Sequence, residues 1–202
     1  MHYNVTILHI RAGSPQLAGI ERWLGGARHA GEFLACWYAD IGNINQIMLI
    51  HGYRDGETLQ ADRRAMLHDG KSYGIPDSLT GVSMRACTPI SGSPLIEPGK
   101  KGPVYEVRTY VMMHDSLEEG FKSWADAIPG RSAVSKPLVL MATNDGPATG
   151  LIHIWPYRSV DERSAIRREV IAKGVWPPKN GPRYIATQQS DIFLPASFSP
   201  LT

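Results

Sequence analysis

The spacing of apolar residues changes repeatedly along this chain, and each change marks an element. Pro103–Met112, PVYEVRTYVM, is rich in Val, Tyr and Thr and predicts a strand. Past it, Leu117, Phe121, Trp124 and Ile128 recur at helical spacing. Asp115 or Ser116 is placed to cap that helix, Glu118 or Glu119 to close a capping box, and Pro129-Gly130 to end it. AVSKPLVLMATN predicts a second strand, DGPATG a hairpin turn and LIHIWPY a third strand. SVDERSAIRREVIAK predicts a helix with Ser159 at its N-cap, Glu162 at N3 and Gly174 past its end. Gly181–Leu194 closes the unit as a strand, giving the order β-α-β-β-α-β of a ferredoxin-like unit.

The same order can be read earlier. YNVTILHIR is a strand, and Ser14-Pro15 opens a helix whose stripe is Leu17, Ile20, Leu24 and Ala27. EFLACWYAD, IGNINQ and IMLIHGY give strand, turn and strand, Asp55 caps a helix running to about Asp69, and Leu79–Ile90 closes. The wording repeats as well as the pattern. At an offset of 104, Tyr53, Arg54, Ala61, Arg63 and Arg64 fall on Tyr157, Arg158, Ala165, Arg167 and Arg168. Trp23 matches Trp124 at an offset of 101, and Arg11 matches Arg108 at 97. The fold class is therefore α+β, with two tandem ferredoxin-like units and antiparallel sheets. Residues 1–90 form the first unit, the Gly/Pro/Ser-rich segment 91–102 a linker, and residues 103–202 the second unit with a C-terminal tail. Each sheet carries helices on one face and leaves the other bare. The two bare faces are expected to pack together or to close into a barrel.

Composition adds exclusions. A net charge of +2 without any Lys/Arg run argues against nucleic acid as a partner. No apolar run reaches the length of a transmembrane segment, and MHYNVTILHIRAG lacks the features of a secretory or mitochondrial leader, so a cytoplasmic protein is expected. Cys36 and Cys87 show no motif spacing and are expected to be buried thiols. The His residues are scattered, which predicts no metal site. No nucleotide-binding loop or nucleophile elbow is present, and no cofactor is expected.

The chain resembles the NIPSNAP family of the dimeric α/β-barrel superfamily. The resemblance rests on CWYADIGNINQIMLIHGYRD, on VYEVRTY at Val104–Tyr110, on HIWPYRSVDERSAIR, on Trp176, and on the tail FLPASFSP at Phe193–Pro200. It implies a fold more than an activity. The wider superfamily includes cofactor-free monooxygenases acting on quinol-like aromatics, haem-dependent enzymes, lyases and isomerases, and fold alone does not choose among them. The first copy departs from the pattern. It has His51-Gly52 where the second has Trp155-Pro156, and it lacks a counterpart of Trp176. One copy is thus expected to have kept a pocket that the other lost.

Alternate residues of a strand share a face, which selects the candidate site. His9 with Arg11, and Glu106 with Arg108 at the matching positions, are candidates for lining a cavity; the other reading is a salt-bridge network in the barrel seam. His51 with Tyr53, and His153 with Trp155 and Tyr157, are two further strings, in which an imidazole beside a phenol suits a general base with a donor. His153 and Tyr157 are the catalytic candidates. His9, Arg11, His51, Tyr53, Glu106, Arg108, Trp124 and Trp155 are the ligand-binding ones. Arg63/Arg64 and Arg167/Arg168 are read as solvated helix faces with one buried ion pair per unit. The expected function is binding of a small hydrophobic or aromatic molecule, with a cofactor-independent monooxygenase as the leading enzyme class. A non-catalytic assembly protein and a haem-binding protein with an axial His are the alternatives. A homo-oligomer is expected.

Overall fold

The computed structural model describes residues 1–13, 15–26, 29–143, 145 and 149–202. The N-cap expected at Ser14, Ala27 of the first stripe and the turn residue Gly146 lie outside the described residues. In chain order the elements are β1 (His2–Ile10), α1 (Leu17–Gly26), β2 (Glu32–Ile41), β3 (Gln46–Tyr53), α2 (Gly56–His68), β4 (Leu79–Pro89), β5 (Val104–Met112), α3 (Leu117–Ser132), β6 (Val139–Thr143), β7 (Gly150–Tyr157), α4 (Val160–Ala172) and β8 (Ile185–Pro195). Both halves follow the ferredoxin-like order.

The bare faces do not stack as separate sheets. All eight strands join one closed antiparallel barrel in the order β1-β3-β2-β8-β5-β7-β6-β4. Two seams join the halves: β2 pairs with β8, and β4 with β6. Closure gives every strand a neighbour on each side, although, among the described residues, 79–86 of β4 pair only with β1 and 185–191 of β8 only with β5. Side chains then alternate between the barrel interior and the outer face under the helices. Tyr3, Val5, Trp37, Met48, Ile50, Tyr105, Val107, Met141, Ile152 and Phe193 belong to the interior cluster. Trp37 of one half stacks on Tyr105 of the other, with ring centroids 4.0 Å apart and planes 17° apart. Outside the barrel, each pair of helices covers its own apolar cluster.

The expected linker is more than a tether. Ile96 is buried in the barrel-interior cluster, and its N–H donates to the Tyr3 hydroxyl at 2.9 Å. Gly99 bridges Leu201 of the tail, whose side chain is also buried and whose carbonyl accepts from Trp37 Nε1. Linker and tail together cork one end of the barrel.

Three expectations about elements change. The helix α3 does not stop at Pro129-Gly130 but continues to Ser132. Proline lacks only its own N–H, and burial of Ile128 and Arg131 holds the last turn in place. β6 is correspondingly short, starting after Pro137 rather than near Ala133. The segment Gly181–Tyr184, read as strand, is a 3₁₀ turn leading into β8. The cap of α4 forms as expected, with Ser159 Oγ accepting from the Glu162 N–H at 3.1 Å.

Candidate functional site

Register decides which candidates meet. His2 pairs with Tyr53 on β1 and β3, and Val104 pairs with Tyr157 on β5 and β7. The equivalent of Glu106 is therefore Asn4, and that of Arg108 is Thr6. The sequence match of Arg11 to Arg108 is one strand face out, and an odd shift moves every side chain to the opposite side. His9 accordingly points into the barrel, where it lines a small cavity of about 190 Å³ with Arg85 and Asp191. Arg11 is exposed beyond the end of β1. Neither joins Glu106 and Arg108. His51 and Tyr53 lie under the first pair of helices, in the other half of the molecule.

Glu106, Arg108, His153, Trp155 and Tyr157 do converge, on the outer face of β5 and β7 beneath α3 and α4. Glu106 is 1% exposed, and its Oε1 gathers most of its partners. Arg163 donates to it at 2.6 Å and Ser190 at 2.8 Å. Arg108 stands at 3.4 Å and Arg167 at 3.8 Å. The Tyr157 hydroxyl lies 3.5 Å from Oε2 and accepts from Arg131 at 3.3 Å. Burial alone would raise the Glu106 pKa. The hydrogen bond from Arg163, the charges of Arg108 and Arg163 and the Ser190 hydroxyl outweigh it and hold the carboxyl below its ordinary range. Burial, reinforced by the nearby Glu106 charge, pushes Tyr157 up to about 12, so it stays a phenol at neutral pH.

His153 takes a different part from the one expected. It is fully buried, and its Nδ1 accepts from Trp155 Nε1 at 2.6 Å. An imidazole accepting at Nδ1 carries its proton on Nε2. Burial, and then the charges of Arg108, Arg167 and Arg131, keep the ring neutral, with its pKa well below the usual value. The one basic lone pair is thus already bound, and His153 presents an N–H donor instead of a general base. The ring packs against Tyr110, Trp155 and Trp176.

Beside this cluster a cleft of about 410 Å³ opens between α4, β5 and the turn preceding β8. Trp124, Tyr110, Trp176 and Val170 form its apolar walls, and Arg108 and Arg167 lie on its surface. Of the expected residues, Arg108 and Trp124 line it. Glu106, His153 and Trp155 stand behind, in contact with that lining, whereas Tyr157 touches Glu106 and Arg131 and lines a different cleft beside Pro156 and Glu162. Sequence reasoning passed over Arg131 and Ser190, and saw Arg163 only as an i, i+4 neighbour of Arg167 with a partner on another element, which is Glu106 of β5. Arg131 escaped because the helix was ended too early, although its guanidinium lies 4.2 Å over the Trp155 ring. Arg167 was visible only as a repeated helix residue.

Among the described residues, the first half has no such network. Asn4 and Thr6 hydrogen-bond each other at 3.1 Å in place of Glu106 and Arg108, and Leu59 replaces Arg163. Arg63, the counterpart of Arg167, pairs at 2.7 Å with Asp145 across the seam. So the expected one buried ion pair per unit becomes a buried network in one half and a half-exposed pair in the other. Where the second half has its cleft, the first is packed: Tyr73 lies against Trp23 at 4.8 Å, and Gly19 meets Gly74 backbone to backbone. Leu49 occupies the His153 position. His51 is fully buried, and neither ring nitrogen has a partner among the described residues.

Comparison with solved structures supports the same architecture. A provisionally named monooxygenase from Lactobacillus acidophilus matches 96% of this chain and 92% of its own, with a TM-score of 0.65 and 10% identity. An anthrone oxidase-like protein matches with a TM-score of 0.61 and 11% identity, covering 96% of this chain and 91% of that one. At such identities the likeness is one of fold. Among sequence relatives, the NipSnap homolog of Dictyostelium discoideum is 20% identical over 152 residues, which span 75% of this chain and 68% of that protein. A NipSnap protein of Caenorhabditis elegans is 28% identical over 109 residues, 52% of this chain but 21% of that one. The NIPSNAP family model matches residues 15–74 and 105–200, one block in each half of the barrel and together most of the sequence, so the chain belongs to the NIPSNAP family.

Proposed function

We propose that the second half of the barrel binds one small, flat, largely apolar molecule in the cleft between α4 and β5. The observation that carries this reading is the cleft itself. Its volume of about 410 Å³ lies in the usual range of small-molecule sites, its walls are aromatic, and a few polar groups converge on it. The support behind those walls is rigid, because Trp155, Trp176, His153 and Tyr110 brace one another ring against ring.

The chemistry we infer is of the cofactor-independent oxygenase type, in which the bound molecule itself reduces dioxygen. The names of the two fold neighbours point the same way. Among the described lining residues there is neither a carboxylate nor an imidazole, so the protein's part would be to orient the substrate and exclude water rather than to take a proton. A haem-binding role finds less support, since neither His51 nor His153 lines the cleft.

Native mass spectrometry before and after denaturation, on protein taken from its own host, tests the binding reading. A small molecule held by the native protein, lost on denaturation and lost in a Trp176→Ala variant that folds, is the expected result. A ligand-free mass even after incubation with host extract would favour an assembly role instead. Oxygen uptake with the recovered ligand then tests the reaction class.

A further inference from the structure

We infer that the ligand of this cleft is an anion, an aromatic carboxylate whose acid group is held by Arg108 and Arg167. The inference rests on the cleft being a binding site and names the class of molecule it takes. Three guanidiniums, Arg163, Arg108 and Arg167, surround one oxygen of Glu106. A carboxylate oxygen accepts about two hydrogen bonds along its lone pairs, and the short contacts from Arg163 and Ser190 use them. Arg108 and Arg167 are left at 3.4 and 3.8 Å, attracted to Glu106 but poorly bonded by it. These are the two that line the cleft, and no acidic residue stands among the described lining residues.

The unmatched polar atoms at and behind this cleft have one sign as well. Arg108 Nε, Trp124 Nε1 and His153 Nε2 are buried without a partner among the described residues, and all three are donors, His153 by the tautomer its Trp155 contact imposes. A site with surplus cations and surplus donors fits a ligand that brings acceptors and negative charge. The planar fork of a guanidinium matches a carboxylate, and the indole walls match an aromatic ring. The first half shows what becomes of this pattern where the cleft is packed shut. There the counterpart of Arg167 is neutralised by Asp145, and Asn4 and Thr6 replace the charged pair.

Calorimetric titration of the full chain with 2-naphthoate, 2-naphthamide and 2-naphthylmethylammonium at neutral pH tests the inference. The carboxylate is expected to bind once per chain, about tenfold or more tighter than the amide, with the ammonium weakest. Arg167→Gln should abolish the preference for acid over amide. That residue is 34% exposed, and its loss leaves the Arg163–Glu106 bond in place, so folding is expected to survive. Arg63→Gln, at the equivalent site of the first half, should leave the preference intact. Equal binding of acid and amide would overturn the anion site while leaving the aromatic cleft standing. A carboxylate preference that survives both Arg167→Gln and Arg108→Gln would also overturn it. Failure of all three probes to bind would remove the cleft reading and the anion site together.

Discussion

Glu106 holds the charge network of the second half together, because among the described residues it is the carboxylate that faces Arg108, Arg163 and Arg167 at once. Removing one partner of a buried charge network leaves the others uncompensated, which typically costs about 3 kcal/mol or more. Glu106→Gln should therefore lower the urea midpoint substantially. The pH dependence gives a second mark. A depressed carboxyl pKa contributes stability that is present above the unfolded value, about 4.3, and is lost as pH falls through the lower folded value. The acid limb of the stability curve should flatten in Glu106→Gln and keep its slope in the wild type. His51 acts at milder acidity. Burial, then the neighbouring His29, lowers its pKa to about 4, so the unfolded chain binds its proton first. Stability should fall as pH drops from about 6.5 towards 4, by up to about 3 kcal/mol from this residue. His51→Leu should reduce that slope and leave the share of His153 and His29, whose pKa values burial also lowers, and unfolding curves collected across the range would show it. An unchanged slope would mean that His51 contributes nothing to it.

At the scale of elements, equivalent helices meet their neighbours differently. A Cβ on Gly19 of α1 would sit 2.3 Å from the Gly74 carbonyl oxygen, which is backbone, whereas on Gly120 of α3 it would meet the flexible end of Met112 at 2.6 Å. Gly19→Ala should cost about 1 to 3 kcal/mol, and Gly120→Ala distinctly less, by denaturant unfolding. Equal costs would contradict the backbone contact. Ser159→Ala should cost about 1 kcal/mol through the cap of α4, the helix that carries Arg163 and Arg167. The element order, the Asp55 and Ser159 caps and the outward string His153-Trp155-Tyr157 could all be read from periodicity, because each depends on local spacing. Placement of His9 and Arg11 could not. The repeat offset drifts between 97 and 104 along the sequence, and strand pairing fixes the offset at β1 and β5 at an even 102, which exchanges inside for outside. Arg131 and Ser190 were hidden for a related reason. They come to the site from an overrunning helix and a distant strand, and no short-range pattern announces such partners.

At the scale of the molecule, closure binds the halves into one cooperative body. The seams β2·β8 and β4·β6 and the Trp37–Tyr105 stack all cross between them. Circular dichroism and tryptophan emission should accordingly report a single coincident unfolding transition, and separated transitions would mean that the halves are independent. Trp37→Ala removes the stack and the bond to Leu201, and should cost about 3 to 5 kcal/mol in that one transition. The contrast between Glu106 and Asn4 has a further consequence. In a barrel built by two identical chains, any substitution appears twice, so a pocket and its mirror must change together. Joining the copies covalently breaks that rule. One half can then change without the other, and the aromatic cleft beside Arg108 and Arg167 need not be answered by a symmetric counterpart.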